Sequence, residues 1–256
     1  MTRIAILHPG QMGAAMGHAL VDAGHDVGWL PASRGPGTRR RAVEAGLREL
    51  QDLGDREVVV CVCPPAAALD TARAVAGFRG VYVDANAISP AAAGEVATVV
   101  RHGGATYVDG GIVGPPPARA GTTRLFLSGE RASAVAGVFR GTRVETVVLD
   151  GGDATASALK MTYAAWTKIT AALLVSVRGA ARALDVEDAL VAEWGRSQPE
   201  LADRHAAALD AARRKGWRWE EEMRQIALTF AEAGEPAGFA EAAAQQFGRW
   251  PRPADD

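Results

Sequence analysis

Two proton-transfer groups stand on one helix face of this chain. Lys160, Tyr163, Ala164 and Thr167 fall at i, i+3, i+4 and i+7. The surrounding stretch is apolar, with Leu159, Met161, Trp166, Ile169, Leu173 and Leu174. A lysine partly desolvated in such a stretch is suited to act as a general acid or base. Lys168, on another face, reads as the surface lysine of the pair. Lys160 and Tyr163 are therefore the expected catalytic residues, and Thr167 extends their face toward a substrate.

A second set of residues is suited to hold phosphates. The apolar run Ile4-Ala5-Ile6-Leu7 breaks into His8-Pro9-Gly10-Gln11-Met12-Gly13 and resumes as a small-residue helix. Gly10 and Gly13 take the second and third glycine places of G-x-G-x-x-G, and His8 takes the first. The helix opening there offers unpaired N–H groups and a positive dipole end, suited to a pyrophosphate. His8, Gly10, Gln11, Met12 and Gly13 are thus expected to bind a dinucleotide, with the His8 side chain turned away or crowding it. Residues 28–41, at the end of the second expected strand, contain no carboxylate. Ser33, Arg34 and Thr38 suit a 2′-phosphate there, which predicts NADP(H) in preference to NAD(H). Arg40 and Arg41 read as a solvated helix face.

Three more segments are expected as loops at the carboxyl ends of strands, where such folds bind ligands. They are Cys63-Pro64-Pro65, the stretch from Asp84 to Pro90, and the stretch from Asp109 to Pro117. Cys63, Pro64, Pro65 and Asn86 face the cofactor in this reading. Asn86, Ile112, Val113 and Gly114 face the substrate, together with Lys160, Tyr163 and Thr167.

The elements that position these groups divide the chain. Apolar runs at 3–7, 26–30, 57–62, 81–84, 105–108, 123–127 and 144–149 alternate with Ala-rich helical stretches. That alternation predicts an α/β domain over residues 1–150, a mostly parallel sheet covered on both faces. Ser89-Pro90 is a strong helix start, a serine N-cap before proline. Residues 151–256 read as an all-α substrate and dimerisation domain. It opens with one long helix over 153–184, which joins the two domains, and continues with helices near 186–195, 197–214, 217–233 and 236–249. A helix of that length needs a surface beyond its own domain, which predicts a homodimer.

Composition narrows the classes. Over 256 residues the net charge is only -2, so there is no electrostatic footprint for nucleic acid or anionic membrane. The first residues lead straight into a strand, the apolar runs are too short to span a bilayer, and a cytoplasmic protein is expected. The only two cysteines, Cys61 and Cys63, are too close together to staple a fold. Their strand context reads as reduced and buried, and the scattered histidines give no ligand spacing, so no metal is expected.

With these motifs in hand, the chain resembles the β-hydroxyacid dehydrogenase superfamily, which includes 6-phosphogluconate dehydrogenase and is related to imine reductases. The resemblance runs through the whole chain and rests on Pro9-Gly10-Gln11-Met12-Gly13, the 84–90 and 109–115 segments, and Ala158-Leu159-Lys160-Met161. In detail it is most similar to a 6-phosphogluconate dehydrogenase-like subgroup with a small C-terminal domain of unknown function. The resemblance implies a Rossmann domain, a long interdomain helix, a helical dimer-forming domain and a nicotinamide in the cleft. It places the family's catalytic lysine at Lys160. The family's substrate-binding serine would fall near Val113 and its asparagine at Ala164, and neither is present. Tyr163-Ala164 also replaces the asparagine-histidine pair of the phosphogluconate enzymes, which excludes that substrate. The expected activity is NADPH-dependent hydride transfer at a small ketone or alcohol, with Lys160 as acid or base. The alternatives are an imine reductase-like enzyme using Tyr163 as proton donor and a non-catalytic NADP-binding sensor.

Overall fold

The computed structural model describes residues 1–32 and 34–251. Ser33, one of the expected phosphate-binding residues, lies outside the described residues. The chain forms two compact units, Met1–Lys160 and the residues from Met161 onward.

Eight strands build the first unit: β1 (Arg3–Leu7), β2 (Asp26–Trp29), β3 (Arg48–Glu49), β4 (Val58–Cys61), β5 (Val81–Asp84), β6 (Thr106–Val113), β7 (Thr123–Ser128) and β8 (Val144–Val148). They lie in one sheet in the order β3-β2-β1-β4-β5-β6-β7-β8. Every neighbouring pair is parallel except β6 with β7. The helices of this unit are α1 (Gln11–Asp22), α2 (Pro36–Glu44), α3 (Ala68–Ala74), α4 (Pro90–His102) and α5 (Ala132–Val138), and α6 (Thr155–Ala183) begins in it.

Strand side chains alternate between two cores. Ile4, Ile6, Val58, Val60, Val83 and Val108 pack with Ala14, Met16 and Leu20 of α1 on one face. Ala5, Leu7, Val59, Cys61, Tyr82 and Tyr107 pack with Ala93, Val96 and Val100 of α4 on the other. Burial on both faces is why these strands read as continuous apolar runs. The Ser89 hydroxyl accepts from the Ala92 N–H and Pro90 sits in the first turn of α4, as the sequence predicts.

The sequence reading needs two corrections in these elements. Residues 109–113 are not a loop: β6 continues through them to Val113. Gly110-Gly111 reads as a breaker, yet β7 pairs along the whole segment, from Asp109 opposite Ser128 to Val113 opposite Arg124. The two-residue β3 is too short to leave a pattern. In the second unit, α7 (Glu187–Ser197) is followed by α8 (Leu201–Glu232), two helical halves joined across a kink, and then by α9 (Gly238–Phe247). The kink is at Lys215, with φ -151°, between the helices expected at 197–214 and 217–233.

Lys168 is a further correction. Its ammonium is 2.9 Å from Glu222 Oε1, and its side chain is 13% exposed, so it is held in an ion pair rather than free at the surface. The Trp219 ring lies 5.7 Å away and shields it further. Trp219 in turn packs edge-on to Phe247 of α9, at 4.9 Å between ring centroids. Among the described residues no helix is long and apolar enough to cross a membrane.

Candidate functional site

The parallel register aligns the carboxyl ends of β1, β4 and β5 with the middle of β6. Leu7, Cys61, Asp84 and Asp109 lie in one row across β1, β4, β5 and β6. The strand order reverses between β1 and β4. At such a switch point the loops leaving two adjacent strands diverge and open a crevice. Here those loops are the glycine loop after β1 and Cys63-Pro64-Pro65 after β4.

His8 shows how the glycine loop is built without its first glycine. It adopts φ +61°, the left-handed conformation that the turn demands. A β-carbon on Gly13 would meet the His8 carbonyl oxygen at 2.7 Å, so the third glycine is obligatory. One on Gly10 would meet nothing nearer than 4.0 Å, which leaves the approach to the backbone open. Gly10 is the N-cap of α1 and brings no side chain to it, and the first turn of a helix is where backbone N–H groups lack intrahelical acceptors. The residues present therefore fit a pyrophosphate.

The His8 side chain is turned toward the end of β2. Its Nε2 accepts a hydrogen bond from the Arg34 guanidinium at 2.5 Å. Burial, reinforced by the Arg34 charge, lowers its pKa to about 4, so the ring is neutral at pH 7. Arg34 Nε is buried without a partner. Arg39 is held elsewhere, by Glu49 at 3.1 Å and the Pro31 carbonyl at 3.2 Å. Thr38 accepts from Arg41 at 3.2 Å. Gln11 and Pro64 are exposed, and Met12 and Pro65 are half-buried beside them.

Asn86 is turned inward, where a rim residue facing ligand was expected. It is 2% exposed. Its Oδ1 accepts from the Cys63 N–H at 2.6 Å and its Nδ2 donates to Asp84 Oδ1 at 2.6 Å. Burial pushes the Asp84 carboxyl up to about 7, against the stabilising effect of the Asn86 donors. Asn86 therefore braces the loop after β4 against β5.

At the far end of the row a second carboxylate seats the helix that carries Lys160. Asp109 accepts from the Ser157 N–H at 2.8 Å, the Ser157 hydroxyl at 2.6 Å and the Ser128 hydroxyl at 3.2 Å. Ser128 Oγ in turn accepts from the Ala156 N–H at 3.1 Å. A carboxylate from β6 thus caps the first turn of α6, where the helix dipole favours negative charge. Arg101 pairs with Asp153 at 2.7 Å just before that turn. Gly111 lets the helix approach, since a β-carbon there would meet the Ala156 oxygen at 2.6 Å and Lys160 Cβ at 2.9 Å.

Lys160 is half-buried on this seat. Tyr163 follows one turn later and is 47% exposed, and Thr167 is exposed one turn beyond it. Ala164 is buried. Ile112 and Val113 are buried at 7% and 3% exposure, and Gly114, Pro115 and Pro116 are exposed just beyond β6. The sequence pattern missed Asp109, Ser128 and Ser157. Their partners are 19 and 48 positions apart, and no local spacing links them. Two surface cavities lie elsewhere. One, of about 630 Å³, is within the helical unit beside Arg178, His205 and Trp250. The other, about 820 Å³, is at the amino ends of β4, β5 and β6 beside Glu57 and Gly80.

Comparisons with known proteins agree with this geometry at the level of the fold. Residues 181–250 match a family described as a domain of unknown function, DUF1932. No curated protein matches the sequence significantly. Among solved structures, the conserved protein MTH1747, described as structurally similar to 3-hydroxyacid dehydrogenases, superposes with a TM-score of 0.74 at 24% identity over 96% of both chains. A Mycobacterium tuberculosis 3-hydroxyisobutyrate dehydrogenase with L-serine superposes at 0.73 and 19% identity, over 97% of this chain and 93% of that one. An imine reductase variant from Myxococcus stipitatus in complex with NAD+ gives 0.59 and 19%, over 97% and 93%. The fold of this chain is that of the 3-hydroxyacid dehydrogenases and imine reductases, and its last helices match the domain of unknown function.

Proposed function

We propose that this protein is an NADPH-dependent oxidoreductase acting at a small ketone or alcohol centre, with Lys160 as the general acid or base. The observation that carries this reading is the register. The glycine loop and the Lys160 seat stand at two ends of one row of paired strand residues. Three strand spacings, about 14 Å, separate them. Solved structures of this fold include nicotinamide-bound enzymes, which supports the same assignment.

His8, Gly10, Gln11, Met12 and Gly13 would hold the pyrophosphate, and Cys63, Pro64 and Pro65 would wall the opposite side, with Asn86 bracing that wall. A nicotinamide held there supplies or accepts the hydride. Lys160 would deliver a proton to the carbonyl oxygen during reduction and take it back during oxidation. Tyr163, Thr167 and the exposed backbone around Gly114 would orient the substrate. Ile112 and Val113 contribute by fixing that backbone.

The preference for the phosphorylated cofactor is assigned to Arg34 and Thr38. The unpartnered Arg34 Nε and the absence of a carboxylate after β2 support it. Titration calorimetry is expected to give tighter binding of NADPH than of NADH. Arg34→Ala should reduce NADPH affinity by about 10- to 100-fold, the value of a charge-assisted hydrogen bond, with little change for NADH. Equal losses for both nucleotides would reassign Arg34 to the pyrophosphate. Activity is to be sought as NADPH oxidation across carbonyl and imine panels. Nucleotide binding with no turnover on any panel would favour a sensor.

A homodimer formed through the helical unit belongs to the same proposal. Trp166, Leu173, Leu228 and Phe239 are 67%, 59%, 52% and 65% exposed there, which supports an apolar contact with a second copy. Light scattering is expected to give twice the chain mass, and a monomer at micromolar concentration would refute it.

A further inference from the structure

We propose that Cys61 and Cys63 form a thiol–disulfide site that a peroxide closes and a dithiol reopens, and that closure weakens nucleotide binding at the neighbouring loops. The second half rests on the nucleotide-binding reading given above. The first half stands on the placement of the two sulfurs, whatever binds nearby.

The two sulfurs are 3.7 Å apart, both buried and both reduced. Residues two apart on an extended strand have Cα atoms about 6.6 Å from each other. That lies at the upper end of the range a disulfide tolerates, about 4.4–6.8 Å. Cys61 is the last residue of β4 and is fixed in the ladder, whereas Cys63 lies beyond the strand. The closing movement therefore falls on Cys63 and the loop it opens.

The two thiols differ in the way a stepwise oxidation requires. Cys61 is fully buried at 0% exposure, while Cys63 reaches the rim at 8%. The contact with Cys61, with help from the Thr71 hydroxyl at 3.8 Å, lowers the Cys63 thiol against the effect of burial. The same contact, together with burial, raises the Cys61 thiol. Cys63 is thus the attacking sulfur and Cys61 the resolving one.

The Cys63 thiolate displaces hydroxide from hydrogen peroxide and becomes a sulfenic acid. The Cys61 thiol then attacks that sulfur, forming the S–S bond and releasing water. Two thiols are oxidised by two electrons, and one peroxide is reduced to two waters. A dithiol reverses the change by thiol–disulfide exchange.

Closure reaches the ligand-binding loops through contacts already present. Drawing the sulfurs from 3.7 Å to about 2.05 Å displaces Cys63. The Cys63 N–H is the donor held by Asn86, and Thr71, which touches Cys63, also contacts His8 Nε2 at 3.5 Å. Both walls of the switch-point crevice are therefore tied to one sulfur.

The test uses the full-length protein, reduced and then treated with hydrogen peroxide. Its two cysteines make the readout unambiguous. The expected result is a monomeric chain lighter by two hydrogens, with neither thiol titratable, and full reversal by dithiothreitol. Cys61→Ser should stop at a sulfenic acid on Cys63 that dimedone traps. NADPH affinity, measured by calorimetry, should fall by about tenfold or more on oxidation and recover on reduction. Thiols that stay titratable, or a disulfide between chains, would overturn the site. A closed disulfide with unchanged NADPH affinity would overturn its coupling to the nucleotide. A reduced protein that binds no NADPH would overturn the nucleotide reading, and the mass measurement would still decide the disulfide.

Discussion

Lys160→Met is expected to lower turnover of a carbonyl substrate by about 10²- to 10⁴-fold, the usual contribution of a positioned proton donor. Met preserves the length and most of the apolar stem of lysine. The contact of this side chain's base with the Gly111 backbone therefore remains, and α6 keeps its seat on β6. NADPH affinity should be nearly unchanged, because the glycine loop lies at the other end of the strand row. A fall in kcat with an unaltered nucleotide dissociation constant separates a lost proton donor from a lost binding contact. Tyr163→Phe discriminates between the two chemistries. For a ketone reductase it should cost less than Lys160→Met, and for an imine reductase it should cost more. Unchanged turnover in Lys160→Met would remove that residue from the mechanism.

Much of this arrangement was legible because local rules carry it. The run from Ile4 to Gly13 specifies strand, tight turn and helix within ten positions, and His8 reaches the left-handed conformation that the missing glycine would have supplied. The buried strands β1, β4 and β5 were found from unbroken apolar runs, and α4 from its Ser-Pro start. The long helix α6 follows from a stretch without glycine or proline as far as Gly179.

What escaped the sequence depends on partners far away in the chain. Gly110-Gly111 looks like a turn until a neighbouring strand and a helix need to approach that backbone closely. Lys168 looks solvent-exposed until Glu222, 54 positions later, closes on it. Asn86 was placed at the rim from its loop context, but Asp84 and Cys63 offer it a complete set of buried partners. In each case a tertiary contact overrides a local pattern.

Asp109 is the most consequential of these hidden residues, and its substitutions should separate sharply. Asp109→Leu removes the acceptor for three donors and leaves the Ser157 N–H buried without a partner. The expected cost is about 3–5 kcal/mol, lowering the melting temperature by about 10 °C. Any folded fraction should turn over poorly, because the first turn of α6, and with it Lys160, loses its anchor. Asp109→Asn is expected to be far milder. Its carbonyl can accept from the Ser157 N–H and the Ser128 hydroxyl, and its amide can donate to a rotated Ser157 hydroxyl. It should match or exceed the wild type in stability at pH 8, since burial raises the Asp109 carboxyl to about 6 and ionising it costs the folded state.

The direction with pH follows from that shift. Between the ordinary aspartate value of 3.8 and about 6, the folded protein keeps a proton that the unfolded chain has released. Stability contributed here therefore declines as pH rises through that window, by at most about 3 kcal/mol, and is flat above it. Asp84, raised to about 7, declines in the same direction, while His8, lowered to about 4, runs the opposite way. Both groups remain in Asp109→Asn, so the difference between the two proteins reports Asp109 together with its effect on Asp84. Removing the Asp109 charge eases Asp84 ionisation, because Asp109 raises the Asp84 carboxyl, and this flattens the variant's curve further. Urea unfolding of wild type and Asp109→Asn at pH 4, 5, 6 and 8 measures that difference directly. Parallel curves across the series, or an Asp109→Leu protein that melts with the wild type, would show that the α6 seat does not depend on this carboxylate.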